Sequence, residues 1–154
     1  MDPLLSLMES KEQAENFLNG GYLCSQSILM AYAPQFNLER DLASRLAASF
    51  GAGLARRGET CGAVNAACMV LGMNFGHTAA DDQDSKKRTY QAVHGFISQF
   101  EDCHGTIKCS QLLDIDISIP ANFETAREQQ LFSTRCPAYI TTSAEILNLL
   151  LAEH

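Results

Sequence analysis

The chain carries six cysteines, at positions 24, 61, 68, 103, 109 and 136. A cysteine acts as nucleophile, metal ligand or oxidisable group through its thiolate, so the question for each is what would stabilise that anion. Four have a local answer. Cys61 follows Thr60, a good helix N-cap residue. Cys109 opens the stretch CSQLL, Cys24 lies in the first turn of YLCSQSIL, and Cys136 precedes Pro137, a residue suited to a first helical turn. All four thus fall at or near expected helix starts, where free N–H groups and the positive end of the helix dipole favour a thiolate. Such a setting lowers a thiol pKa from about 8.5 into the range of roughly 3.5–7.5. Cys68 and Cys103 differ. Cys68 stands two helical turns after Cys61, about 10.5 Å away, beyond the roughly 7 Å that a disulfide tolerates between Cα atoms. Flanked by Ala67 and Met69, it reads as core. Cys103 falls near a helix end, where the dipole opposes ionisation, and its one candidate role is as an accessory thiol near Cys109.

Spacing narrows the chemistry. No CxxC is present, which argues against a zinc ribbon, and no CxxCH, which argues against covalent haem. Four widely spaced cysteines have three uses. They can serve thiol–disulfide exchange or electron transfer with a redox partner protein, Cys61 leading as thiolate and Cys24, Cys109 or Cys136 resolving. They can converge in a bundle to hold an iron–sulfur cluster or zinc. They can also pack as small hydrophobes in a helical interaction module. The histidines, at 77, 94, 104 and 154, are scattered; His104 beside Cys103 is a candidate ligand or base, but a surface or loop position is the simpler reading.

Four glycines fall within twelve residues: Gly51, Gly53, Gly58 and Gly62. A dinucleotide fingerprint fails here because Arg56 holds its third glycine position and a helix, not a strand, precedes it. The run GLARRGET resembles a phosphate loop, but Glu59 stands where a lysine should hold the phosphates. A tight turn that delivers Thr60 as N-cap and Cys61 as first helical residue accounts for the glycines better. No GxSxG, HExxH or kinase signature appears, and Lys86-Lys87-Arg88 reads as a solvated helix face.

The elements that must position these groups are helical. Asp2-Pro3 reads as cap and first-turn proline of a helix that Gly20-Gly21 stops. A second helix runs near Leu23 to Tyr32 and ends before Pro34. A third spans about 38–50, with Leu42, Leu46 and Phe50 as its apolar stripe. The fourth runs from Thr60 to Met73. The fifth follows Asp81-Asp82, carries Tyr90, Val93, Phe96, Ile97 and Phe100, and ends at Gly105. A short helix begins at Cys109. Residues 114–120 alternate apolar and polar, but one strand cannot stand alone, so they read as an extended connection. A further helix covers 121–132, and Pro137 opens the last one. The expectation is an all-α, single-domain bundle of five to seven helices over residues 1–154, with a glycine-rich turn before the Cys61 helix.

Composition sets outer bounds. At 154 residues and 46% apolar, the chain buries enough surface to fold without disulfide or metal. Eighteen acids against eleven bases leave a net charge of −7, the wrong sign for nucleic acid or an anionic membrane. The longest apolar run, Ala66 to Met73, is far short of the roughly 20 residues of a membrane span, and the acidic Met1-Asp2-Pro3 start does not suit a secretory leader. A cytoplasmic location follows as the expectation, a compartment that keeps thiols reduced. The acidic surface and bundle shape leave room for a homodimer.

The words GETCGAVNAACMVLGM, YLCSQSIL and GTIKCSQLL, with Cys136-Pro137, resemble the bacterial and archaeal C-GCAxxG-C-C family, described as redox-active. The resemblance runs from about Phe17 to Leu151. It implies that the four characteristic cysteines are Cys24, Cys61, Cys109 and Cys136, and that Gly62 and Ala63 belong to its CGAxxG motif. Ala66 stands at the last glycine of that motif, a departure that keeps a small residue for helix packing. The resemblance implies neither a substrate nor a reaction.

Overall fold

The structure is a computed structural model that describes residues 2–153; Met1 and His154, one of the four scattered histidines, lie outside the described residues. The chain is all-α. Its helices are α1 (Pro3–Asn19), α2 (Cys24–Tyr32), α3 (Arg40–Ala47), α4 (Gly62–Phe75), α5 (Gln83–His104), α6 (Cys109–Leu112), α7 (Pro120–Glu128) and α8 (Leu131–Ala152). Eight exceeds the expected five to seven only through α6, a single turn. Residues Gly51–Leu54 carry helix-like hydrogen bonds, but Ala52 and Gly53 have left-handed backbone, so this segment is a turn.

Capping chemistry sets the two best-defined ends. The Asp2 carboxylate accepts from the Leu4 N–H at 3.0 Å with Pro3 beside it, and Gly20 closes α1. The Asp82 carboxylate accepts from the Ser85 N–H at 3.1 Å, and Gly105, at φ 82°, ends α5 in the left-handed conformation. At the centre lies α2, whose Ile28, Leu29 and Tyr32 are fully buried against α1, α4 and α8. The Tyr32 hydroxyl donates to Asn148 Oδ1 at 2.6 Å, and Asn148 donates in turn to the Leu7 carbonyl at 3.1 Å. One polar chain therefore ties α2, α8 and α1. Phe96 and Phe100 of α5 complete the core against α4 and α8.

Four sequence expectations need correction. The Leu42–Leu46 stripe of α3 faces outward, with these side chains 45% and 51% exposed. Ala43 and Ala47 face inward instead, and their small size lets α3 approach α2 closely enough for Ser25 Oγ to donate to the Ala47 carbonyl at 2.8 Å. The helix after the glycine-rich turn does not start at Thr60: Cys61 is itself the N-cap of α4, because Thr60 is paired with Lys108. Residues 113–119 form turns rather than an extended connection, since Asp114 is left-handed at φ 56°. Pro137 does not open the last helix. A left-handed Gln130, at φ 58°, separates α7 from α8, so α8 already starts at Leu131 and carries Pro137 inside. Among the described residues no helix is long and apolar enough to cross a membrane.

Candidate functional site

Two short backbone stretches build the site. Residues 58–61 run antiparallel to residues 107–110. Cys61 N–H donates to the Ile107 carbonyl at 2.7 Å, Cys109 N–H to the Glu59 carbonyl at 2.6 Å, and Ser110 N–H to the Gly58 carbonyl at 3.2 Å. This clasp sets Cys61 and Cys109 side by side although α4 and α5 separate them in the chain. Gly53 passes underneath. A Cβ there would lie 2.5 Å from the Glu59 nitrogen and 2.7 Å from the Cys109 Cβ, so only glycine fits. At Gly62 a Cβ would meet the Phe50 carbonyl at 2.9 Å and Ser25 at 3.1 Å. Its absence lets the start of α4 touch the start of α2 and brings Cys61 toward Cys24. The fourth cysteine comes from α8: Tyr139 donates to the Leu112 carbonyl at 2.7 Å and Arg135 to the same oxygen at 3.3 Å, which fixes α6 against the Cys136 turn.

The wall between these stretches is unusual backbone. Ala52, Gly53, Leu54, Ala55 and Arg56 all have positive φ, at 54°, 65°, 71°, 50° and 68°. Each non-glycine residue there costs roughly 1–2 kcal/mol. Hydrogen bonds hold the turn: Arg57 N–H to the Leu54 carbonyl at 3.0 Å, Gly58 N–H to Ala52 at 3.3 Å and Glu59 N–H to Gly53 at 2.9 Å.

Cys24, Cys61, Cys109 and Cys136 all line one cavity of about 620 Å³. All four are free thiols; Cys24 is half-buried and the other three are buried. The neighbouring Cys136 side chain, together with burial, holds the Cys24 pKa well above the ordinary thiol value. Burial pushes Cys61 up to about 12 although the amides of Ala63 and Val64 pull the other way. Cys109 is pushed up to about 12, by burial first and then by its neighbours Cys61 and Cys24. The expectation of lowered thiol pKa values at helix starts is therefore corrected for these three. Cys24 is the first residue of α2, Cys61 the N-cap of α4 and Cys109 the first residue of α6, as expected from position. Removing a thiolate from water costs more than helix-end amides return. Cys136 departs even in position, since it sits in the second turn of α8.

The remaining candidates stay outside. Cys68 is half-buried within α4, with its pKa raised by burial, and Cys103 is exposed; neither lines the cavity. His104 closes α5, its Nε2 2.9 Å from Thr142 Oγ1 and its ring packed on Phe100 and Tyr139. It acts as a clamp between α5 and α8. Among the described residues no three His, Cys, Asp or Glu side chains are grouped as they would be around one metal ion. Sequence reasoning missed the clasp and Arg56, whose guanidinium lies 3.9 Å above the Phe123 ring at the cavity rim. The glycine cluster was the available signal for the clasp. Nothing local announces the Arg56–Phe123 stack, which joins distant segments.

Ala63 and Ala66 are fully buried, so the small residue at the departing motif position packs as expected. No curated protein and no solved structure matches the chain. A family profile described as "Putative redox-active protein (C_GCAxxG_C_C)" matches residues 22–150, which include all four cavity cysteines. The chain belongs to the C_GCAxxG_C_C family of redox-active proteins.

Proposed function

We propose that the chain is a dithiol–disulfide redox protein whose reactive pair is Cys24 and Cys136. The observation that carries this reading is the placement of these two free thiols as interacting neighbours on the wall of one cavity. Cys24, the most exposed of the four, attacks a sulfur of an acceptor disulfide after losing its proton, forms a mixed disulfide and expels one thiolate. Cys136 then attacks the Cys24 sulfur, closes the internal S–S bond and releases the second thiolate. Two protein thiols are oxidised, one acceptor disulfide is reduced, and the two protons end on the departing sulfurs. Cys24 shares the raised pKa of its neighbours, so its lead rests on its greater exposure, while Cys61 and Cys109, with pKa values of about 12, stay protonated. They therefore add no negative charge beside the attacking thiolate. This assigns the lead to Cys24, where position alone favours Cys61.

Free-thiol titration after mild oxidation by diamide tests the pair. Two of the six thiols should be lost with helical circular dichroism unchanged. Cys24→Ser and Cys136→Ser should each abolish that loss, while Cys103→Ser should not. A two-thiol loss that survives in both variants, or no loss in the parent chain, would overturn the assignment.

A further inference from the structure

The cavity is larger than thiol exchange alone requires. Its volume of about 620 Å³ lies within the roughly 300–1,000 Å³ typical of small-molecule sites. Three of its cysteines are no more than 9% exposed, beyond the reach of a disulfide on the surface of a folded protein. A small molecule that enters the cavity meets no such barrier.

The lining describes that molecule. Leu18, Leu113, Phe123, Phe132 and Pro137 give apolar walls. The chain has eighteen acids and a net charge of −7, yet no acid lines this cavity, and its two charged lining residues are Arg56 and Arg127. They come from different segments, the left-handed turn and α7. Arg127 is paired with Glu124 at 2.7 Å, which offsets its charge. Arg56 is not: among the described residues its guanidinium engages the Phe123 ring and forms no ion pair. It is also carried by the left-handed turn, and backbone strain of that kind persists where a function needs the geometry. A guanidinium stacked on an aromatic ring keeps its fork of donors free for a carboxylate.

We propose that the cavity binds a low-molecular-weight disulfide with an apolar body and a carboxylate end, Arg56 holding the carboxylate at the rim and the disulfide reaching Cys24 and Cys136. This rests on the dithiol reading above. The protein dithiol and the ligand disulfide exchange two electrons and two protons, giving a protein disulfide and a ligand dithiol or two ligand thiols.

The test uses the full chain under anaerobic conditions with lipoate, its neutral amide lipoamide, and oxidised glutathione as an anionic but polar control. Exchange rates are followed in both directions, from reduced protein with each disulfide and from oxidised protein with each thiol, so that the redox potential of the pair does not mask the result. At subsaturating concentration lipoate should exceed lipoamide by about threefold to fivefold, the size of one exposed ion pair, and should exceed glutathione as well. Arg56→Gln should remove the preference over lipoamide, and Arg56→Lys should retain part of it. Equal rates for acid and amide, a preference that persists in Arg56→Gln, or a protein disulfide that outpaces every small one would overturn the proposal. Failure of the dithiol reading is separate: there, diamide itself would leave Cys24 and Cys136 unpaired.

Discussion

The two ends of the bundle are built on different terms. Where α1, α2 and α8 meet, backbone is regular and polar groups find partners: Tyr32 reaches Asn148, and Asn148 reaches Leu7. Where the cysteines meet, four non-glycine residues of one turn are left-handed, thiols are buried together, and among the described residues Arg56 forms no ion pair. The first end keeps regular helical backbone and holds the molecule together. The second breaks several at once and needs the first to hold it in place, the pattern expected where structure is kept for chemistry rather than for stability.

That contrast is open to attack by mutation. Phe96, fully buried between α4 and α8 and outside the cavity lining, belongs with the regular helical core rather than the cysteine end. Phe96→Ala should cost about 3–5 kcal/mol in chemical denaturation while diamide still removes two thiols from the folded chain. Gly53 belongs to the cysteine end. Gly53→Ala should cost about 2–3 kcal/mol, because the added methyl overlaps Glu59 backbone and the Cys109 Cβ, and it should change alkylation rates of the cavity thiols. If Phe96→Ala disturbed thiol reactivity more than Gly53→Ala, the division between the ends would fail.

Alkaline pH should find the cysteine end first. Burial raises Cys61 and Cys109 from 9.0 to about 12, so between those values the unfolded chain releases protons that the folded chain retains. Stability is then fully present below about pH 9 and falls as pH rises toward 12. By pH 10 the two thiols together should have removed on the order of 1–2 kcal/mol. Tyr32, also raised by burial, starts from 10.0, so the holding end contributes only at higher pH. Urea midpoints at pH 8, 9 and 10 measure the slope, and Cys61→Ala should remove one thiol's share. A flat profile to pH 10 would mean that these thiols are not dry.

The same division decides what could be read from the sequence. Caps such as Asp2 and Asp82 and stops such as Gly20 and Gly105 act within one turn of the residue that names them, so those helices were legible. So was the set of four cysteines, through family resemblance. The α3 stripe misled because periodicity marks an apolar face but not whether the neighbour will accept leucines or demand alanines; close approach to α2 demanded Ala43 and Ala47. Pro137 misled because proline fits a helix start, yet the left-handed Gln130 had already started α8. The thiol pKa values were missed for a related reason. A helix start is a local feature, whereas the dryness around Cys61 comes from α2, α6 and α8 together.

The finest test of the contrast is one substitution made both in regular helix and in the left-handed turn. Ala92 lies within right-handed α5 and packs partly against the core, so Ala92→Gly, which loses helix propensity and a buried methyl, should destabilise by about 1–2 kcal/mol. Ala55 lies at φ 50° in the left-handed turn. There a Cβ costs roughly 1–2 kcal/mol that glycine avoids, while glycine's greater freedom in the unfolded chain offsets about 0.5–1 kcal/mol. Ala55→Gly should therefore stabilise by about 0.5 kcal/mol, opposite in sign to the same change in α5. Denaturation midpoints at unchanged m-value compare the two directly. A loss at Ala55 equal to that at Ala92 would mean the turn is not strained in solution, and the link between strain and the position of Arg56 would go with it.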